Sequence, residues 1–123
     1  MSDKKFLLVV EDDGALCAQL GMIVEYFGYE SALAGTCAEA RQKFKERKPD
    51  AVLSDLYLPD GTGVELLHEF HETDGNLPVI ILTGFPSPET IRQTLIEGGY
   101  TYLAKPVDLV QLRNLLKRAL GEN

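Results

Sequence analysis

Short apolar runs alternate along the chain with longer stretches in which apolar residues recur every three or four positions. Read as strands, the runs are Lys5 to Val10, Glu30 to Ala34, Ala51 to Ser54, Val79 to Leu82 and Thr101 to Ala104. The first of them, FLLVV, has no polar member, the pattern of a strand covered on both faces of a parallel sheet. The stretches between the runs carry helix start signals. Thr36 with Glu39, Thr62 with Glu65 and Asp108 with Gln111 have the capping-box form or its Asp variant. Ser87 followed by Pro88 offers an N-cap and a first-turn proline, and Gly98 with Gly99 stops the helix they start. The first helix is expected from about Ala15 to Phe27, ending at Gly28. Five helices following five strands predict a (βα)5 chain of the α/β class: an open, doubly wound, five-stranded parallel sheet with helices on both faces.

In such a sheet, ligands bind beyond the carboxyl ends of the strands. That rule gives meaning to the residues on which the apolar runs stop. FLLVV ends on Glu11, Asp12 and Asp13, three acids whose mutual repulsion folding alone does not explain. Asp55 follows the third run, Thr83 the fourth and Lys105 the fifth. Neighbouring strands lie about 4.8 Å apart, so carboxylates from the first and third can share one hard cation. Oxygen ligands without histidine or cysteine suit Mg²⁺, which keeps several waters and is commonly completed by phosphoryl oxygens. A hydroxyl (Thr83) and an ammonium (Lys105) are suitable partners for such a group.

Composition narrows the class. With 123 residues, 45% of them hydrophobic, the chain is expected to form a single domain over 1–123, with no effector domain and no linker after Ala119. A formal net charge of −7 and scattered basic residues argue against direct nucleic-acid binding. Cys17 and Cys37 have no metal-site spacing and read as core thiols in a reducing cytoplasm. No segment has membrane-span length, and Met1 to Lys5 before a short apolar run is too brief for a signal peptide.

The residues at the strand ends resemble a known set. The acidic pair Glu11 and Asp12, DLYLP headed by Asp55, LTG containing Thr83, the aromatic Tyr102 and the pair Lys105–Pro106 occur in the order found in receiver domains of two-component response regulators. The resemblance covers essentially the whole chain and implies the flavodoxin-like receiver fold, with its five strands in the order 2-1-3-4-5. It implies a phosphorylation-activated switch in a phosphorelay, a domain that catalyses its own phosphorylation and slow dephosphorylation and is not a turnover enzyme. Asp55 would be the phosphoacceptor. Glu11, Asp12, Asp55 and the backbone carbonyl of Tyr57 would hold Mg²⁺, with Asp12 a direct ligand and Glu11 acting through water. Lys105 would be the phosphoryl counter-ion, Thr83 the hydroxyl that moves toward the phosphate, and Tyr102 the switch aromatic that alters the surface of the fourth and fifth helices. The Lys105–Pro106 bond is expected to be cis. The partner implied is a sensor histidine kinase or phosphotransfer protein in the cytoplasm; homodimers through the fourth and fifth or the first and fifth helices occur in such domains.

Some positions depart from the common pattern. Gly84 stands where alanine is usual after the threonine, and Val107 where phenylalanine is common. Tyr57 and Phe85, each two residues beyond an active group, are expected to flank the acyl phosphate and slow its hydrolysis. Asp13 and Asp60 read as cap or turn residues. His68 and His71, among Glu65, Glu69 and Glu72, read as a solvated helix face. The alternative function, a phosphorylation-independent interaction module, fits less well because both Asp55 and Lys105 are kept. A related Mg²⁺-dependent phosphatase would need a second aspartate where Tyr57 stands.

Overall fold

The computed structural model describes residues 4–122; Met1 to Asp3, part of the segment considered above for a leader, and Asn123 lie outside the described residues. The order of elements is β1 (Phe6–Val10), α1 (Gly14–Tyr26), β2 (Glu30–Ala34), α2 (Cys37–Glu46), β3 (Ala51–Asp55), β4 (Tyr57–Leu58), β5 (Gly61–Thr62), α3 (Gly63–Thr73), β6 (Val79–Thr83), α4 (Pro88–Ile96), β7 (Thr101–Ala104) and α5 (Leu109–Ala119). Five parallel strands form the main sheet in the order β2-β1-β3-β6-β7. Counted without the short β4–β5 pair, this is the expected order 2-1-3-4-5.

Alternation along the central strands divides the core in two. Leu7 and Val9 of β1, Leu53 of β3 and Ile80 and Leu82 of β6 face α1 and α5, meeting Leu20, Val24, Leu112 and Leu116. Leu8, Val10, Val52, Val79 and Ile81 point to the other face, against Ala40 of α2 and Leu66, Leu67 and Phe70 of α3. All residues of β1, β3 and β6 are therefore buried, which is why their sequences show no alternation. The edge strands β2 and β7 are only partly covered and tolerate polar residues.

Each helix opens on a side-chain cap. Asp13, Thr36, Thr62, Ser87 and Asp108 accept from the backbone N–H three residues on. Among the described residues the reciprocal bond of a capping box forms only at α4, between Ser87 N–H and Thr90 Oγ1 (3.1 Å). Strand boundaries differ from expectation by one residue where a ladder reaches further. Asp55 still pairs with Leu82, and Thr83 with Ala104, so each is the last residue of its strand.

The hairpin formed by β4 and β5 is absent from the sequence reading, although Pro59-Asp60-Gly61 is a recognisable turn signal. Asp60 at its tip reaches across to α2, where its carboxylate accepts from the N–H of Cys37 (2.7 Å) and Ala38 (3.0 Å). Those two backbone donors hold its carboxyl below the usual carboxylate range. Asp60 is thus a cap as expected, but for a helix far from it in sequence. Both cysteines are buried, and burial pushes the Cys37 thiol up to about 11, so it stays protonated at neutral pH. Among the described residues no helix is long and apolar enough to cross a membrane.

Gly63 is where α3 comes closest to the sheet. A Cβ there would stand 2.5 Å from the carbonyl oxygen of Asp55, 2.9 Å from Ser54 Oγ and 3.0 Å from Ile81 Cδ1. Only a residue without a Cβ lets the helix start directly beneath the third strand's end. Gly63→Ala is expected to cost about 1–3 kcal/mol in urea denaturation and to shift the backbone NMR resonances of Ser54 and Asp55.

Candidate functional site

The parallel sheet delivers four strand ends to one edge. β1 ends before Glu11, whose N–H continues the ladder to the Ala34 carbonyl (2.9 Å), so its side chain enters the site with the backbone fixed. The next residue, Asp12, is exposed, and Asp13 turns away to cap α1 through Leu16 N–H (3.1 Å). Across β3, Asp55 is 9% exposed, and Glu11 only 1%. One oxygen each from Glu11, Asp12 and Asp55 lies within 4.8 Å of the others. The donor set contains oxygen alone, matching a hard divalent cation.

Lys105, directly after β7, supplies the cation the structure itself contains. Its Nζ lies 2.5 Å from Glu11 Oε1 and 3.1 Å from Asp55 Oδ2. Its N–H bonds to the Thr83 carbonyl (2.8 Å), and the Lys105–Pro106 peptide bond is cis, as expected. Burial opposes the ammonium, but the hydrogen bonds it donates to Glu11 and Asp55 outweigh it and hold the Lys105 pKa above its ordinary value. Since the folded value is the raised one, the ion pair's contribution to stability is complete below the ordinary lysine pKa. It disappears only as pH rises through the higher folded value. The edge thus sets the three acids Glu11, Asp12 and Asp55 beside one lysine.

Thr83 closes β6 with its side chain buried, and its Oγ1 accepts from Phe85 N–H (3.2 Å). Behind it, Leu56, Ile81, Thr83, Thr90, Ile91, Thr94 and half-buried Tyr102 surround a gap too narrow to admit water. Tyr102 and Thr83 thus line one space. Thr90 and Thr94 of α4 were not singled out in the sequence; the (i, i+4) threonines facing an apolar strand were the available signal. Nor was the direct Glu11–Lys105 bond foreseen, although a fully buried acid requires a partner. Tyr57 and Phe85 stand after Leu56 and Gly84 and are 66% and 90% exposed. His68 is exposed as expected, but His71 is half-buried, with Nε2–H donating to the Leu77 carbonyl (2.8 Å). The solvated-face reading holds for the first histidine only.

The response regulator receiver domain family matches residues 7–117. The chain belongs to that family. It is 35% identical over 115 residues to the transcriptional regulatory protein ZraR of Klebsiella oxytoca, covering 94% of this chain and 26% of ZraR. The chain thus spans about a quarter of that relative's length. A CheY-like receiver domain protein from Methanospirillum hungatei superposes with a TM-score of 0.91 at 33% identity, covering 97% of this chain and 95% of that one. The beryllofluoride-activated dimer of the NtrC4 receiver domain gives 0.88 at 31% identity, covering 94% and 96%. As a receiver domain, the chain is of the kind found in two-component signalling.

Like-charge repulsion at the edge predicts a stability gain when one acid is neutralised. Asp12→Asn, at the exposed member of the trio, is expected to raise the stability of the metal-free protein by about 1 kcal/mol. Thermal unfolding in EDTA measures it, and the gain should shrink when ionic strength is raised.

Proposed function

We propose that Asp55 is the phosphoacceptor of a phosphorylation-activated switch served by a sensor histidine kinase or phosphotransfer protein in the cytoplasm. The observation that supports it best is the placement of the Asp55 carboxylate. It stands at the end of a buried strand, within reach of Lys105 and of two further acids that fit a shared hard cation. An Asp55 oxygen attacks the phosphorus of a phosphohistidine. The new O–P bond forms as the P–N bond breaks, and the electron pair passes to the imidazole nitrogen, which takes a proton. Glu11, Asp12, Asp55 and the Tyr57 carbonyl would hold Mg²⁺, which when bound neutralises phosphoryl oxygens and the crowded acids. Lys105 transfers its contact from the carboxylates to a phosphoryl oxygen without changing protonation.

The acyl phosphate adds a doubly negative group to the edge. Thr83 is the hydroxyl placed to answer it. Moving toward the phosphoryl group, it breaks its bond from Phe85 N–H and enlarges the narrow gap shared with Tyr102. Tyr102 then turns inward and changes the surface of α4 and α5. The domain catalyses this modification and its slow reversal on itself and is not a turnover enzyme. Tyr57 and Phe85, both exposed and each two residues beyond Asp55 or Thr83, restrict an attacking water in this reading.

Intact mass after incubation with acetyl phosphate tests the reading. One added phosphoryl group is expected with Mg²⁺, and none with EDTA or in Asp55→Asn; an adduct persisting in Asp55→Asn would refute the assignment. Mg²⁺ is expected to raise the melting temperature of the wild type and to leave that of Asp12→Asn nearly unchanged. Tyr57→Ala and Phe85→Ala are each expected to speed loss of the phosphoryl group by about three- to tenfold, a barrier change of about 1 kcal/mol. Unchanged rates would remove the aromatics from any role in hydrolysis.

A further inference from the structure

The strand that carries Asp55 runs directly into the β4–β5 hairpin, and the Tyr57 carbonyl assigned above to Mg²⁺ belongs to that hairpin. At its base the Leu56 N–H donates to the Leu82 carbonyl (2.9 Å), and the Leu56 carbonyl accepts from Gly63 N–H (2.8 Å). Tyr57 and Thr62 form the next pair, and Leu58 and Gly61 the last before the turn. Hydrogen-bonded and non-bonded pairs alternate along an antiparallel ladder. Since Leu56 and Gly63 are bonded, Tyr57 and Thr62 are the non-bonded pair, and the Tyr57 carbonyl points away from the hairpin with no ladder bond to fix its direction. It faces wherever the hairpin as a whole is held.

The base of the hairpin is tied to the main sheet, and Leu58 packs into the core on the side of α2 and α3. Pro59 and Asp60 at the tip are exposed. Asp60 nevertheless reaches α2 with both carboxylate oxygens, Oδ1 accepting from Cys37 N–H (2.7 Å) and Oδ2 from Ala38 N–H (3.0 Å). Two bonds to one planar group set an angle as well as a distance. A Cβ on Gly61 would stand 3.0 Å from Cys37 Sγ, so tip and helix are in close contact beside this clasp. Helix α2 already has a local cap, Thr36, which accepts from Glu39 N–H (3.0 Å). The Asp60 bonds therefore serve the hairpin as much as the helix.

We infer that Asp60 is a positioning residue for the metal site: by clasping the first two N–H groups of α2 it holds the β4–β5 hairpin so that the Tyr57 carbonyl is presented to the cation shared by Glu11, Asp12 and Asp55, and it couples the start of α2 to occupancy of that site. The inference rests on the Mg²⁺ reading of the strand-end acids and not on Asp55 being a phosphoacceptor.

Mg²⁺ titration of the intact chain, followed by NMR with no phosphodonor present, tests it. Asp60→Ala is expected to weaken Mg²⁺ binding about tenfold, as when a group that orients a metal ligand is lost. Thr36→Ala removes the local cap of the same helix and lowers stability in the same way, but it leaves the hairpin attached and should bind Mg²⁺ as the wild type does. Asp60→Asn keeps one acceptor without the charge and should fall between the wild type and Asp60→Ala; it also stands in if thermal melts show that Asp60→Ala does not fold. The deficit should persist at raised ionic strength, whereas a long-range charge effect would be screened. In EDTA, hydrogen exchange at Gly63 N–H should speed up in Asp60→Ala and not in Thr36→Ala. Coupling is reciprocal, so saturating Mg²⁺ should slow exchange at Cys37 and Ala38 N–H in the wild type. Unchanged affinity in the Asp60 variants, an equal loss in Thr36→Ala, or a deficit erased by salt overturns the inference while leaving the metal reading in place. A wild type that takes up no Mg²⁺ overturns both.

Discussion

The structure is organised around one imbalance of charge. Glu11, Asp12 and Asp55 converge within 4.8 Å, and among the described residues Lys105 is the ammonium that answers them. A buried glutamate such as Glu11 would be strongly destabilising alone. Its bond to Lys105 offsets that cost, and the charge left over suits the edge to a divalent cation. Stability and reactivity therefore draw on the same four side chains. A fully neutralised edge would fold better and attract nothing.

The sheet makes this concentration of charge geometrically feasible. Parallel strands with right-handed crossovers deliver all their carboxyl ends to one side. The central strands β1, β3 and β6 are buried along their entire length, so the acids at their ends are held by rigid ladders. Asp55 and Thr83 remain inside the hydrogen-bond register, paired with Leu82 and Ala104. Gly63 adds a second restraint by letting α3 begin against the Asp55 carbonyl. The hairpin tip at Asp60, locked onto the first N–H groups of α2, fixes the loop that leaves Asp55.

The sequence made the fold legible because long apolar runs and capping residues are local signals. FLLVV announces a doubly covered strand, and Thr36, Thr62, Ser87 and Asp108 each cap the helix that follows. The strand-end rule then brought Glu11, Asp12, Asp55, Thr83 and Lys105 together before any contact was known. What escaped depends on partners distant in the chain. Asp60 reads as a cap or turn residue, but the helix it caps, α2, lies 23 positions away, and His71 reads as surface until its bond to Leu77 shows that the end of α3 folds back on the strand entrance. The two-residue strands β4 and β5 carry too little pattern to be told from a loop.

The gap shared by Thr83 and Tyr102 shows how a change of charge at the edge can reach the surface. It is lined by apolar and threonine side chains and excludes water, so any displacement of Thr83 leaves an empty volume that the surrounding packing must fill. Tyr102 is half-buried at its margin, with an apolar ring to move inward and a hydroxyl that α4's threonines can meet. Thr94 already spends its hydroxyl on the Thr90 carbonyl, while Thr90 is tied to Ser87 at the helix cap. In the proposed switch, movement of the aromatic ring would be felt first at the α4 terminus, whose cap Ser87 lies four residues after Thr83. In that proposal packing density, rather than a chain of hydrogen bonds, couples the carboxylate edge to the helix.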